Sequence, residues 1–494
     1  MSTTAIAQSR EPLIIIASNR GPFSFERLDD GSFQTRRGAG GLVTALSALA
    51  QQHEVLWVAA ALSEDDRAWA AEQGSEPVMV EGIRLRLLIP DPDAYEQYYN
   101  QIANPLLWFI QHQLWDTPRS PSIDGDTWDA WHHGYQAINR QFAETICECV
   151  AGAERPLLIL PQDYHLYTVV GLLRERLGEK VQIQPFCHIP WPGPDAWRIL
   201  PAAMRDSILS SLLAADRVGF QTDKDAFNFV HSCRFYLSDA HAPDESHRVR
   251  FRGREVIARA YPISVDSANL NELLANPETT ELREVLEQQL GGARLILRSD
   301  RVEPSKNILR SLQAFRLLLE RYPEHLGKVQ MLTLLAPSRM EVDEYQTYLR
   351  EITAEGALIN ADFSDGRWEP VRVIVGSNYL RVLAAMQLYD VLMVTPLADG
   401  MNLVAKEGPV VNQHHGVLVL SEYAGAYYEL GEHALTVSPF DIHSTAETLH
   451  RALTMPDQER RQRAGQLAGQ IRQADIRRWF ETQVEDALAA LDRS

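Results

Sequence analysis

An α/β fold with two doubly wound domains is predicted by three features of this sequence. Short apolar runs alternate with longer segments of helical period, the pattern that βαβ units produce. The apolar runs are continuous, which is typical of parallel strands buried on both faces of a sheet. The chain has 494 residues, and single hydrophobic cores stop growing at roughly 250–300 residues, so we expect two cores.

The predicted strands fall into two sets. The first set contains Leu13–Ala17, Val55–Ala61, Leu157–Leu160, Ile183–Cys187 and Arg217–Phe220. The second set contains Leu295–Arg298, Val329–Ala336, Val371–Val375, Val391–Thr395, Val417–Leu420 and Ala434–Val437. Helical periodicity is present at Asp206–Ala214 and Ile308–Arg321. Each set therefore predicts a domain built around a parallel sheet.

The predicted domain boundary lies near Tyr261–Asp266, before a polar helix predicted at Leu270–Gln289. The tail Glu459–Leu491 is helical and rich in Arg, Gln and Ala. The predicted domains are residues 1–262 and 263–475, with a terminal helix over about 476–494 that we expect to pack back on the first domain.

Composition and charge exclude several classes of protein. A net charge of −19 argues against a general nucleic-acid or membrane-surface binder, which needs positive potential. A phosphate site must then be built from local Arg and Lys. No CxxC pair suggests zinc and no leader or membrane-spanning pattern is evident, so we expect a cytoplasmic protein. Reduced, mostly buried thiols are expected at Cys147, Cys149, Cys187 and Cys233.

Polar residues follow predicted strands at four loops, where ligands bind in doubly wound sheets. The first loop is Ser18–Pro22, followed by a glycine-rich segment from Arg36. Such a turn can present backbone N–H groups to an anion, although a plain flexible loop has the same composition. Arg20, directly after a strand, favours the anion site.

The second and third loops carry Asp163 and His188. Asp163 ends an apolar strand in the segment Pro161–Leu166 and is either the N-cap of the next helix or a ligand contact. His188 is followed by three prolines within seven residues, which makes a rigid loop. A structural histidine and a ligand-contacting one are both consistent with that position.

The fourth candidate region is divided between two loops of the second strand set. Arg301 and Lys306 follow one strand, and cations there suit a diphosphate. Asp399, Gly400 and Glu407 follow another strand. Gly400 permits close approach of the backbone to a ligand. A helix predicted to start near residue 401 aims its N–H groups at the ligand. Glu407 lies two turns along that helix, where it can accept hydrogen bonds from ribose hydroxyls.

Together these segments resemble the trehalose-6-phosphate synthases, retaining glycosyltransferases of the GT-B architecture in which two Rossmann-like domains face a cleft. The resemblance runs from Leu13 to about Trp479. The most specific stretches are Tyr98–Trp108, Gln162–Leu166, His188–Pro192, Trp197–Pro201, Gly219–Thr222 and Thr395–Gly408.

The resemblance implies transfer of glucose from a nucleotide-glucose to glucose 6-phosphate, giving α,α-trehalose 6-phosphate, without a metal or cofactor. Double displacement would need a carboxylate nucleophile, and none is obvious. The family implies front-face attack, in which the protein positions the reactants and stabilises charge. Neither nucleic acid nor membrane is an expected partner, while the nucleotide base and homo-oligomerisation stay open.

The resemblance also implies roles for individual residues. The acceptor-binding residues are Arg20, Tyr99, Trp108, Asp163 and Arg339. The donor-binding residues are Gly41 with its neighbour Gly40, His188, Arg301, Lys306, Asp399, Gly400, Met401, Asn402, Leu403 and Glu407. The residues expected to act in catalysis are Asp163, His188, Arg301 and Lys306.

The sequence departs from the family pattern at three places. Pro304 replaces an aromatic residue, Gln162 replaces the first histidine of its motif, and alanines follow the retained Trp57. The stretches around Trp57 and His188 are also similar to pseudo-glycosyltransferases that form validoxylamine phosphate. Three hypotheses follow: the synthase, a transferase for another sugar, polyol or (amino)cyclitol phosphate, and a non-enzymatic sugar-phosphate binder.

Overall fold

The computed structural model describes residues 12–38, 53–243, 246–340, 342–474 and 476–491. Contacts between Cα atoms divide the chain into two compact units. The first unit comprises Met1–Pro262 and Arg477–Ser494, and the second comprises Ile263–Ile476.

The first unit combines strands with helices, as the predicted α/β class requires. Its strands are β1 (Leu13–Arg20), β2 (Phe23–Arg27), β3 (Phe33–Arg37), β4 (Val55–Ala60), β5 (Val78–Val80), β6 (Ile83–Leu88), β7 (Leu157–Pro161), β8 (Val181–Ile183), β9 (Phe186–Cys187), β10 (Arg217–Phe220), β11 (Ala240–His241), β12 (Arg248–Phe251) and β13 (Arg254–Ala260). Its helices are α1 (Glu64–Gln73), α2 (Pro92–Glu96), α3 (Trp108–Gln111), α4 (Gly125–Asp129), α5 (Gln136–Cys149), α6 (Val169–Leu177), α7 (Pro194–Trp197), α8 (Ala202–Leu212) and α9 (Asp223–Tyr236), with π-helical turns at Gln97–Leu107 and Ala130–Tyr135.

The first sheet of this unit has the strand order β5-β6-β4-β1-β7-β8 among the described residues. Strand β1 pairs in parallel with β4 on one side and with β7 on the other. From β1 the chain adds β4 and β6 on one side of the sheet and then returns to add β7 and β8 on the other side. The strand order therefore reverses between β1 and β7. Ligands of doubly wound sheets bind at such a switch point, beyond the carboxyl ends of the strands.

The second sheet of this unit corrects one predicted strand. Ile183–Cys187 is not a single strand: β8 belongs to the first sheet, and β9 joins the order β11-β12-β13-β10-β9. Pro185 lies at the break and has no N–H to continue a ladder. The sheets are also mixed rather than purely parallel, because β5, β11 and β12 pair antiparallel to their neighbours.

A hairpin of β2 and β3 follows β1. Its strands alternate between buried and exposed residues on β2 and are mostly exposed on β3. Neither strand was predicted, because these short antiparallel strands face solvent on one side and lack a continuous apolar run.

The second unit is a single parallel sheet flanked by helices. Its strands are β14 (Arg294–Arg301), β15 (Val329–Ala336), β16 (Val371–Val375), β17 (Val391–Val394), β18 (Val417–Ser421) and β19 (Leu435–Val437). Its helices are α10 (Ser267–Leu274), α11 (Pro277–Leu290), α12 (Ile308–Arg321), α13 (Asp343–Phe363), α14 (Tyr379–Leu388), α15 (Val404–Val411), α16 (Tyr427–Leu430), α17 (Ile442–Thr454) and α18 (Asp457–Gln473), and α19 (Ile476–Leu491) follows. Short 3₁₀ turns occupy Pro304–Lys306 and Pro323–His325.

The strand order β16-β15-β14-β17-β18-β19 is that of a Rossmann sheet. The order reverses between β14 and β17, so the carboxyl ends of these two strands form the switch point. The buried core packs α12 and α17 on one face of the sheet through Phe315, Leu318 and Leu449. The Ile308–Arg321 helix is confirmed with the predicted bounds.

Two predicted helices are each divided in two. The helix predicted at Leu270–Gln289 is α10 followed by α11, because Asn276 caps α11 and Pro277 occupies its first turn. The tail is α18 followed by α19. In the first unit, Trp479 of α19 donates to the carbonyl of Tyr261 at 2.9 Å.

The four cysteines are free thiols, two of them buried and two half-buried. Among the helices that the structure describes, none combines the length and apolarity required to cross a membrane.

Candidate active site

Arg20 and Asp163 follow the two strands that flank the switch point of the first sheet. Arg20 ends β1 and is exposed, and Asp163 lies two residues beyond β7. Asp163 has a φ of 72°, which is uncommon for a residue with a side chain. Although it stands before the turn at Tyr164–Leu166, its side chain makes no capping bond. Its Oδ1 atom instead accepts from the backbone N–H of His188 at 3.2 Å, so Asp163 occupies the N-cap position without a side-chain capping bond.

An aromatic cluster stands beside Arg20. The ring of Tyr99 stacks on Tyr95 and on His165, with ring centroids 5.7 Å apart in both pairs. Asn19 donates to the Tyr95 hydroxyl at 3.0 Å. Tyr99 is therefore half-buried between the rings of Tyr95 and His165. Stacked rings of this kind can pack against the apolar face of a sugar.

Two tryptophans of the predicted acceptor region are buried in the first unit. Trp108 is 4% exposed, lies at the start of α3 and stacks on His112 with ring centroids 4.0 Å apart. Trp57 is fully buried in β4 and donates to Ser18 Oγ at 2.8 Å. Trp57 is thus a core residue that supports the end of β1 through Ser18.

His188 is held by two glutamines. Gln162 donates to the carbonyl of Leu160 at 3.0 Å, which directs its Oε1 atom to His188 Nε2 at 2.9 Å. Gln221 Nε2 lies 3.4 Å from His188 Nδ1. Burial lowers the pKa of His188 to about 3. The imidazole is therefore neutral, with its proton on Nε2.

In the second unit, Arg301 and Arg339 converge on one buried carboxylate. Glu303 is fully buried, and its Oε2 atom lies 3.2 Å from Arg301 Nη2 and 3.6 Å from Arg339 Nη1. Arg339 also donates to the hydroxyl of Tyr345 at 2.8 Å. Arg301 remains half exposed, at 46%. The arrangement fixes two guanidinium groups while leaving Arg301 accessible to an anion.

Lys306 and Asp399 form an ion pair across the switch point between β14 and β17. Lys306 Nζ donates to Asp399 Oδ2, and Asn402 donates to the same carboxylate oxygen at 3.0 Å. Lys306 follows β14, and Asp399 follows β17. The structure therefore brings together the two halves of the predicted donor site.

The loop from Asp399 to Leu403 packs tightly on a neighbouring loop. Gly425 donates its N–H to the carbonyl of Asp399 at 3.0 Å, and a Cβ atom added at Gly425 would lie 1.8 Å from the carbonyl oxygen of Gly400. Ala426 donates to the carbonyl of Met401 at 2.8 Å. Only glycine at position 425 permits this approach.

Helix α15 starts later than predicted, at Val404, with Leu403 at its N-cap position. Asn402 has a φ of 77°, which turns the chain before the helix. Glu407 therefore lies in the first turn of α15 rather than two turns along it. It accepts from the Tyr379 hydroxyl at 2.9 Å, and burial raises the pKa of its carboxyl group.

The region is richer in cations than the chain as a whole. Among the residues described above, the cations are Arg301, Lys306 and Arg339, and the acidic residues are Glu303, Asp399 and Glu407. Three cations are thus matched by three acidic residues within a chain of net charge −19. Such a cluster suits an anionic ligand that is smaller than a nucleic acid.

Several residues of these clusters were not predicted as site residues. Gln162, Gln221, Glu303 and Tyr379 are polar contacts of predicted residues. Glu303 could have been predicted, because it is the acid retained in the motif that follows Arg301. Tyr379 could not have been predicted from a local motif, because it lies 28 residues from Glu407. Gly40 and Gly41 lie outside the residues that the structure describes.

Comparisons with known proteins extend over nearly the whole chain. Residues 12–489 match the family described as Glycosyltransferase family 20. The UDP-forming α,α-trehalose-phosphate synthase of Schizosaccharomyces pombe is 30% identical, over 97% of this chain and 91% of that protein. The validamine 7-phosphate valienyltransferase of Streptomyces hygroscopicus subsp. jinggangensis is 31% identical, over 97% of this chain and 94% of that protein.

Solved structures give the same result. The E. coli protein described with bound UDP-2-fluoro glucose has a TM-score of 0.82 and 28% identity, over 96% of this chain and 98% of that one. The UDP-forming α,α-trehalose-phosphate synthase from Burkholderia xenovorans in complex with glucose-6-phosphate has a TM-score of 0.80 and 28% identity, over 97% of this chain and 100% of that one. Both predicted resemblances are confirmed, as is the α/β class with GT-B architecture. The chain is a glycosyltransferase and belongs to glycosyltransferase family 20.

Proposed function

We propose that this protein transfers glucose from UDP-glucose to glucose 6-phosphate, with retention of configuration, to give α,α-trehalose 6-phosphate and UDP. The observation that carries the proposal is the cation cluster at the β14/β17 switch point. We propose that Arg301 and Lys306 of this cluster bind the donor diphosphate. Relatives described as UDP-forming synthases support UDP as the nucleotide.

In the proposed reaction the 1-hydroxyl of the acceptor attacks the donor C1 on the face from which the diphosphate leaves. The bond from C1 to the diphosphate oxygen breaks, a bond to the acceptor oxygen forms, and the hydroxyl proton passes to the leaving diphosphate. Arg301 and Lys306 stabilise the charge that develops on the leaving group. The two cations supply the charge that a bound metal ion would otherwise provide, so we propose that no metal or cofactor takes part.

We propose that His188 helps to shape the donor-sugar site rather than acting as a general base. Its Nε2–H is donated to Gln162, its Nδ1 atom faces the Gln221 amide, and burial lowers its pKa to about 3, which makes it a weak base. Asp163, bonded to the same segment, is proposed to hold an acceptor hydroxyl. We propose Arg20 and Arg339 as ligands of the acceptor phosphate, and a cytoplasmic location in keeping with these substrates.

A second candidate is coupling of a nucleotide-cyclitol to an aminocyclitol phosphate, as the name of the valienyltransferase relative suggests for that protein. The specific observation in its favour is Gln162, which departs from the synthase motif and contacts His188 beside the proposed sugar site. Phosphate recognition by Arg20 and Arg339 would serve either acceptor.

A matrix of donors and acceptors tests both candidates. Purified protein is incubated with UDP-, GDP- or ADP-glucose or a nucleotide-cyclitol as donor. The acceptors are glucose, glucose 6-phosphate and an aminocyclitol phosphate, and released nucleotide is measured together with mass spectrometry of the product. The proposal requires UDP release only with UDP-glucose and glucose 6-phosphate together. Release with the aminocyclitol phosphate alone favours the second candidate, and no release with any pair contradicts both.

A further inference from the structure

A cluster of metal-ligating side chains lies away from the cation cluster of the second unit. His325 ends the 3₁₀ turn between α12 and β15, Glu324 precedes it, and His450 lies on α17. One ligand atom from each residue lies within 4.8 Å of the other two. His325 Nε2 and His450 Nδ1 are 3.0 Å apart.

The position of this cluster in the fold separates it from the proposed reaction. Helix α12 starts near the carboxyl end of β14 and has 14 residues, which at about 1.5 Å per residue carries the chain roughly 20 Å. The turn with His325 therefore lies by the amino ends of the strands, whereas Lys306 and Asp399 follow their carboxyl ends.

We propose that Glu324, His325 and His450 form a binding site for a divalent transition metal ion, with Zn²⁺ the best match. Zinc takes imidazole nitrogens at about 2.0–2.1 Å, so two nitrogens on one tetrahedral ion lie about 3.3 Å apart. The observed 3.0 Å, at which the two rings are hydrogen-bonded, is close to that separation, so a bound ion would replace this hydrogen bond. The carboxylate of Glu324 is exposed, and its ligand atom lies within 4.8 Å of both imidazole nitrogens. Two imidazoles and one carboxylate leave a fourth position for water.

The surroundings hold the two imidazoles in place. Tyr322 stacks on His450 with ring centroids 3.7 Å apart and planes 9° from parallel, and its hydroxyl donates to Glu447 at 2.6 Å. His325 is buried, with 7% of its surface exposed. Supporting contacts that fix a ligand ring strengthen metal binding.

Charged groups of both signs lie near the cluster. Arg294 and Lys328 carry positive charge near His325, and the proposed ligand Glu324 carries negative charge. On the side of His450, Glu447 faces Arg321. The three cations are thus opposed by two carboxylates, one of which is the ligand Glu324. Imidazole ligands select zinc, nickel or copper rather than magnesium or calcium, which prefer all-oxygen sites.

The proposed metal would join the turn before β15 to α17 and so stabilise the second unit. It is independent of the glucosyl transfer, because none of its ligands belongs to the predicted donor or acceptor sites. The expected consequence is a higher Tm with zinc at unchanged turnover.

Calorimetric titration of the untagged, EDTA-treated full chain with ZnCl₂ tests the site. We expect one Zn²⁺ per chain with a Kd in the low-micromolar range or tighter, a rise in Tm, and no response to Mg²⁺. His450→Gln and Glu324→Gln should each weaken binding, His450→Gln by at least about tenfold, since even groups behind the ligands contribute about 10–100-fold. The matched control is His443→Gln, an exposed histidine on the same helix, which should bind zinc as the wild type does.

Three outcomes would overturn the proposal. One is no saturable binding to the wild type. Another is equal affinity in wild type and His450→Gln, and the third is an equal loss in His443→Gln, which would indicate nonspecific surface binding. Both test residues are accessible to solvent, so folding of the variants, checked by circular dichroism, is expected to be intact.

Discussion

The carboxylate of Glu303, fully buried in the second unit, lies 3.2 Å from the guanidinium of Arg301. The same oxygen lies 3.6 Å from Arg339, which follows the neighbouring strand of the sheet. Leaving a buried carboxylate without a cationic partner raises the free energy of the folded protein. The Glu303 carboxylate therefore holds both guanidinium groups beside it. The arginine proposed for the donor diphosphate and one proposed for the acceptor phosphate thus share one positioning residue.

Glu303→Gln should raise KM for both substrates, each by at least about tenfold. The amide keeps the shape but removes the charge that orients Arg301 and Arg339, and breaking such a buried pair costs about 3–5 kcal/mol. Glu303→Asp should recover part of both values. Asp390→Asn is the control: it removes an ion pair with Arg460 (3.2 Å) in the same unit and should lower Tm without changing KM. A fall in Tm alone for Glu303→Gln would contradict the positioning role.

Arg301→Ala and Lys306→Ala should each lower kcat sharply with the fold intact. Losing a charge-assisted contact to a leaving diphosphate costs on the order of 2–4 kcal/mol in the barrier, or roughly 30–1000-fold. Arg316→Ala serves as the control, because Arg316 is in the same unit and forms ion pairs with the exposed acids Glu320 and Asp362. Wild-type turnover of both variants at saturating donor would show the assignment to be wrong.

Arg20→Lys and Arg339→Lys should each weaken the acceptor without changing donor affinity. The planar fork of arginine contacts two phosphate oxygens, and an ammonium group cannot reproduce that geometry. Initial rates with glucose 6-phosphate and with glucose at equal concentration measure the effect, and free glucose should react poorly with the wild type. If free glucose reacts as fast, or if Arg20→Lys affects only the donor, the acceptor assignment fails.

His188 should stay neutral from pH 5 to pH 9. Burial lowers its pKa from 6.5 to about 3, so the unfolded chain takes up a proton near pH 6.5 that the folded protein binds only near pH 3. This histidine therefore reduces stability as pH falls through that interval. Histidine-labelled NMR, with the resonance assigned by its loss in His188→Asn, should show no titration and a proton on Nε2. A midpoint above pH 5 would contradict the assignment.

Gly425→Ala should displace the loop from Asp399 to Leu403. The new methyl group would meet the Gly400 carbonyl oxygen at 1.8 Å, so backbone must move. We expect donor affinity to fall by at least about tenfold, equal to about 1.4 kcal/mol, measured as UDP binding by calorimetry. Gly465→Ala, in α18 with no atom within 4 Å of the added group, should bind UDP normally and gain about 0.5–1 kcal/mol in stability. Unchanged UDP binding by Gly425→Ala would show that the loop does not contribute.

The α/β class could be predicted from the sequence, because periodicity is a local property of the chain. Continuous apolar runs predicted β14, β15 and β17, and the helix at Ile308–Arg321 has the predicted bounds. The motifs also located Arg301, Lys306 and Asp399 at strand ends, since the residue that follows a strand is read directly from the order of the chain.

Which side chains contact one another depends on the tertiary structure. Lys306 and Asp399 are 93 positions apart, and Gln162 reaches His188 from 26 positions away. The division of Ile183–Cys187 between two sheets depends on which strands β8 and β9 find as partners. These pairings are non-local: they follow from strand order and the packing of the whole unit, which no window of neighbouring residues contains.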